Sequence, residues 1–83
     1  MIMGKVVGNI VSTRKNENIV GSKIFEIQVI ENGRETDRYI VAIDSVGAGI
    51  GEKVLVTTGS SARLALQNTS TPVDAVVVGI IDE

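Results

Sequence analysis

Two isolated glycines, Gly4 and Gly8, interrupt an otherwise apolar and largely β-branched run from Ile2 to Thr13. A glycine inside a strand packs nothing of its own, so it marks a bulge, a tight bend or a close backbone approach. Two of them in one strand predict a sheet that curls towards a barrel. The remainder of the chain must then supply the strands that close it.

It does so in short pieces. Arg14 to Ser22 is polar, with Asn16, Asn18 and Gly21 as turn formers. Lys23 to Ile30 alternates, with Phe25, Ile27 and Val29 on one face and Ile24, Glu26 and Gln28 on the other. That period of two is the pattern of a half-buried strand. Asn32-Gly33 follows, and this pair supplies the positive φ values of a tight hairpin turn. Arg38 to Asp44 reads as the returning strand and Lys53 to Thr58 as a fourth. Ser60 or Ser61 can cap a short helix over Ala62 to Leu66, and Gln67 to Pro72 is a polar loop. The last strand, Val73 to Ile81, is apolar without alternation, which predicts cover on both faces. Five strands with one short helix over residues 1–83 predict a single all-β domain, a small five-stranded barrel of OB type.

Composition narrows what such a barrel can do. The chain has neither cysteine nor histidine, so disulfides, thiolate metal sites and the commonest acid–base side chain are all absent. A domain of this size buries only about 60% of its unfolded surface, which leaves oligomerisation as the route to more buried area. The net charge is −2 and the isoelectric point about 5.0, a balance that gives no footprint for nucleic acid or anionic lipid. No run approaches the ~18 apolar residues of a membrane span, and Met1 to Lys5 leads into a strand with no secretory pattern. A cytoplasmic protein is expected, one that takes no cofactor or metal and engages neither membrane nor nucleic acid.

The densest motif is Asp44-Ser45-Val46-Gly47-Ala48-Gly49-Ile50-Gly51-Glu52. Three glycines at alternate positions permit positive φ and close contact, but the spacing is not G-x-G-x-x-G and a strand follows rather than a helix, so no phosphate site is expected. Asp44, Glu52 and Asp74 could be imagined as paired catalytic carboxylates. With no histidine to partner them, they read instead as loop fasteners, Asp44 and Asp74 on backbone N–H groups and Glu52 on a rim. Ser60 and Ser61 lack a base and the nucleophile pattern, and Arg14, Lys15 and Lys23 form a small basic cluster open to an oligomer contact. An OB barrel also raises single-stranded nucleic-acid or small-ligand binding. Base-stacking platforms need aromatic residues in a basic groove, and only Phe25 and Tyr39 are aromatic here.

Taken in order, these motifs resemble the EutN/CcmL family of pentameric vertex proteins from bacterial microcompartment shells. Gly4 to Lys15 resembles the family's opening strand with its Ser-Thr-x-Lys end, and Asp44 to Glu52 its signature loop. Gly59-Ser60-Ser61-Ala62-Arg63 matches the start of the helix, and Pro72 to Ala75 with Gly79 to Asp82 the last strand. The resemblance covers essentially the whole length. It implies a non-enzymatic homopentamer that fills the corners of a polyhedral shell whose facets are hexameric proteins. It also implies that Gly47, Ala48, Gly49, Ile50 and Gly51 lie near the five-fold axis or a subunit contact. Arg14, Asp44, Glu52, Ser60, Ser61, Arg63 and Asp74 are then candidates for the subunit interface or for fixing its loops. Longer relatives continue past the position of Glu83 with another segment, and the resemblance does not extend to the contacts made there. Whether the shell is a carboxysome or that of a catabolic compartment is left open by the motifs.

Overall fold

The computed structural model describes residues 1–10, 23–59, 62 and 74–82. Five strands make up nearly all of it: β1 (Ile2–Asn9), β2 (Ile24–Glu31), β3 (Arg34–Asp44), β4 (Lys53–Thr58) and β5 (Ala75–Ile80). They close into a barrel in the order β1-β2-β3-β5-β4, with β4 returning to β1. Every pairing is antiparallel except β3 with β5, which is parallel. This is the small Greek-key barrel predicted from the sequence. The ends of the first and last predicted strands, the polar turn Arg14 to Ser22, and the predicted helix and loop from Leu64 to Pro72 lie outside the described residues.

Curling begins where the glycines predicted it. The β1–β2 register slips between Val6 and Gly8, the mark of a bulge. Gly4 has a different reason. A Cβ built on it would run into Ile27 Cγ2 and stand 2.8 Å from the carbonyl oxygen of Gln28. At the same point β1 bonds to β4 on its other edge, Gly4 opposite Val54. Only a residue without a side chain leaves room on this face for Ile27.

The barrel interior is filled by alternate residues of each strand: Val6, Phe25 and Ile27, Ala42, Val54 and Val56, Ala75 and Val77. A fully buried Val, Ile or Phe contributes about 1.5–3 kcal/mol, so this cluster dominates the stability of the subunit. Val76 on the opposite face of β5 is buried as well, and so is its parallel partner Ile43. The sequence predicted cover on both faces along the whole last strand; this holds from Ala75 to Val77, whereas Val78 and Gly79 are half-buried and Ile80 is exposed.

Several strand ends shift by a residue or two from the sequence reading, β1 ends at Asn9 rather than Thr13, and β3 has the largest difference among the described residues. The returning strand starts at Arg34 rather than Arg38. Asn32 (φ 53°) and Gly33 (φ 76°) form the expected two-residue turn, which sets Arg34 directly opposite Glu31. The charged residues 34–38 therefore join the ladder although they show no apolar alternation. They are held by polar contacts instead. Lys5 Nζ lies 2.9 Å from Glu35, Arg38 pairs with Glu31, and Thr36 Oγ1 donates to Val29 O at 2.6 Å. Gln28 Nε2 donates to Thr36 O at 3.0 Å, so Thr36 satisfies the bulge that falls between Gln28 and Ile30. The hydrogen bond and charge of Lys5, with a smaller contribution from Lys53, hold the exposed Glu35 carboxyl below the ordinary glutamate value.

Gly4→Val should cost about 1–3 kcal/mol, the usual penalty for overpacking a filled core, and a urea melt will show it as a lowered midpoint. Carboxyl titration by NMR should find Glu35 ionising at lower pH than free glutamate, and Lys5→Met should move it back towards the ordinary value.

Candidate functional site

The segment between β3 and β4 has more hydrogen bonds to its own ends than its glycine content suggests. Asp44, the last residue of β3, turns its carboxylate back along the chain. Oδ2 accepts from Gly47 N at 2.9 Å, and Oδ1 from Val46 N at 3.2 Å and Ala48 N at 3.3 Å. Side-chain acceptors of this kind satisfy amides that have left a strand and joined no other, as a cap does for a helix. Ser45 fixes the loop to the barrel, since its hydroxyl donates to Val77 O at 2.6 Å and its N–H to the same oxygen at 3.2 Å.

The second half is fastened to β1 and to Glu52. Glu52 Oε1 accepts from Gly49 N at 2.7 Å, and Glu52 N donates to Gly49 O at 3.2 Å. Gly51 N donates to Val6 O at 2.8 Å and Val6 N to Glu52 O at 3.0 Å. Between these fastenings Ala48 drops into the core, 2% exposed. Val46 and Ile50, two residues to either side, remain 40% and 63% exposed. The loop is thus a rigid mount that presents two apolar side chains outward.

Its three glycines serve two purposes. Gly47 (φ 79°) and Gly51 (φ 91°) occupy the left-handed region, where a side chain is strained. Gly49 does not, and a Cβ there would meet only Glu52 Oε1 at an ordinary 3.5 Å. Among the described residues nothing requires glycine at 49.

Of the residues singled out from the sequence, the structure brings together Asp44, Gly47, Ala48, Gly49, Gly51 and Glu52 in this one loop. The expectation that Asp44 binds loop amides is met, and the rim residue Glu52 does the same. Asp74 lies elsewhere, at the start of β5, and its backbone carbonyl accepts from Gly59 N at 2.7 Å. Ala62 is buried and donates its N–H to Gly59 O at 3.0 Å. Arg14, Ser60, Ser61 and Arg63 lie outside the described residues. Sequence reading missed the clamp at Ser45, for which a serine directly after a strand was the available signal. Among the described residues no group of three or more acidic, histidine or cysteine side chains is placed to hold a metal ion. The loop's acidic side chains hold its own amides, and beside the exposed Ser45 and Glu52 it presents two apolar side chains, Val46 and Ile50.

Residues 1–82 match the family described as ethanolamine utilisation protein EutN/carboxysome. The chain is 48% identical to the carboxysome shell vertex protein CcmL of Synechocystis sp. over 83 residues, covering 99% of this chain and 83% of the relative. It is 42% identical to the microcompartment shell vertex protein EutN of Salmonella typhimurium, covering 100% of this chain and 85% of the relative. The solved GrpN pentameric microcompartment shell protein of Rhodospirillum rubrum superposes with a TM-score of 0.90 at 42% identity, covering 100% of this chain and 95% of that one.

Asp44→Ala removes the acceptor of three loop amides. A lost capping acceptor of this kind costs about 1–2 kcal/mol, to be read from thermal unfolding. Hydrogen exchange at Val46, Gly47 and Ala48 should quicken in the same variant while the strands stay protected.

Proposed function

The chain belongs to the EutN/CcmL family, and on that footing we propose that it is a structural shell protein whose homopentamers cap the vertices of a polyhedral bacterial microcompartment. The observation that carries this is its likeness, over the whole chain, to a shell protein described as pentameric. The vertex role is common to relatives named for carboxysomes and for other microcompartments, so it does not depend on which pathway the shell encloses.

The chemistry of the subunit supports a structural role over catalysis. A vertex needs a stiff small block with a repeated edge, and a closed barrel with a pinned loop is one. A ring of identical subunits uses one heterologous interface, closing when the rotation per subunit divides the circle. Such a ring places five copies of one loop around an axis, and Gly49, which nothing among the described residues requires, suits a position where side chains have least room. We assign Gly47 to Gly51 to that crowded region. Of the other candidates, Asp44 and Glu52 fix the loop, while Arg14, Ser60, Ser61, Arg63 and Asp74 are assigned to the subunit interface or its supporting loops. The outer partners are the hexameric facet proteins of the shell, within the cytoplasm, and no cofactor is involved.

Single-stranded nucleic-acid binding is the rival use of such a barrel. It calls for exposed aromatic platforms in a basic groove, whereas Phe25 is in the core, Tyr39 is a single exposed aromatic and the net charge is −2.

Native mass spectrometry of the purified protein should give an assembly of five times 8.8 kDa, and single-stranded DNA should leave its elution unchanged. A monomer whose elution shifts with DNA would overturn the vertex reading. Gly49→Glu should keep β-rich circular dichroism but lose the pentamer, because it brings five like charges together.

A further inference from the structure

The barrel is closed unevenly. β3 is 11 residues long, yet it pairs with β5 only at Ile43 and Asp44. Among the described residues no strand lies against the preceding part of that edge. The direction of its peptide groups follows from one hydrogen bond, Asp44 N to Lys23 O at 3.0 Å. Pairing with β2 runs without a slip from Ile43 back to Tyr39, and N–H groups alternate between the two edges of a strand. Ala42 and Ile40 therefore bond towards β2, while Val41 and Tyr39 aim their N–H and C=O groups away from it. The side chains of these two residues are also exposed, 52% for Tyr39 and 56% for Val41.

Unpaired strand edges template association, and proteins that leave them free blunt them with charge, proline or bulges. β3 is blunted over half its length only. Residues 34–38, Arg-Glu-Thr-Asp-Arg, carry four charges, whereas residues 39–43, Tyr-Ile-Val-Ala-Ile, carry none and include neither proline nor glycine. The unprotected half is the half whose peptide groups and apolar side chains face outward together.

We propose that the Tyr39–Val41 edge of β3 is one side of the seam between neighbouring subunits, bonded strand to strand by a second copy of this chain. The inference rests on the pentamer proposed above. A solved relative is pentameric, so a second copy is the partner at hand. A heterologous ring seam joins two different patches, which lets a bare edge be filled without its needing to match itself. Strand addition of this kind takes affinity from main-chain bonds and selectivity from alternate side chains. Tyr39 and Val41 supply the latter, tyrosine being a residue enriched at interfaces.

The test uses the whole chain. Val41→Pro deletes the outward N–H but no bond to β2, which an edge strand tolerates; Val41→Lys keeps the backbone and adds the charge that blunts an edge. Both should retain β-rich circular dichroism and lose the pentamer in native mass spectrometry. In the unaltered pentamer the Tyr39 and Val41 amides should exchange slowly, a readout that needs no variant should Val41→Pro fail to fold. If the unaltered protein is pentameric but its Val41 and Tyr39 amides exchange as free ones, or Val41→Lys remains pentameric, this seam is wrong and the vertex role stands. If the unaltered protein forms no pentamer, the vertex role and the seam both fall.

Discussion

Between Met3 and Lys5, β1 is bonded to β2 along one edge and to β4 along the other, and on its inner face Gly4 leaves the room that Ile27 and the Gln28 carbonyl take up. A side chain there would have to displace part of the packed interior, in which Val6 and Val54 are buried. Val6 in turn bonds Glu52 and Gly51, so the loop after β3 is held in part by a strand some forty residues before it. It hangs on β1 as much as on the strands that flank it.

The same economy explains how so small a chain holds a precise surface without a disulfide. Asp44 and Glu52 satisfy loop amides, and Ser45 ties the loop to β5. Ala48 seats it in the core. Each fastening is a single ordinary interaction, but they act on a segment of eight residues from both ends. The apolar side chains that this loop turns outward are Val46 and Ile50. A surface whose shape is settled before contact loses less entropy on association, which matters in an assembly that repeats one contact around a ring.

Much of this was legible in the residues. Gly4 and Gly8 announced the curl because glycine has few other reasons to interrupt a β-branched run, and Asn32-Gly33 named its own turn. The alternation of Phe25, Ile27 and Val29 gave the face of β2. Asp44 could be read as a backbone acceptor because no histidine was available to make it a base. The rest was hidden for stated physical reasons. Residues 34–38 extend β3 through turn geometry and ion pairs, which leave no hydrophobic period. Tyr39 to Ile43 is continuously apolar, and such a run does not say which of its side chains are buried, or that among the described residues no strand pairs with one edge at Tyr39 and Val41. Gly49 looked like Gly47 and Gly51 in the sequence, and only the backbone angles separate them.

The strand order has a consequence for how each copy comes into being. β1 meets Val56 through Ile2, and Ile43 lies beside Val76. These partners are far apart along the chain, and pairings of that kind are slow because loop entropy is lost before the contact forms. During synthesis the first strand emerges long before β4, with the β2–β3 hairpin as its early companion. The β3 edge and the pinned loop acquire their final form only when β4 and β5 arrive. A subunit built in this order cannot display a finished joining surface while it is still incomplete, so ring formation is timed by the fold itself.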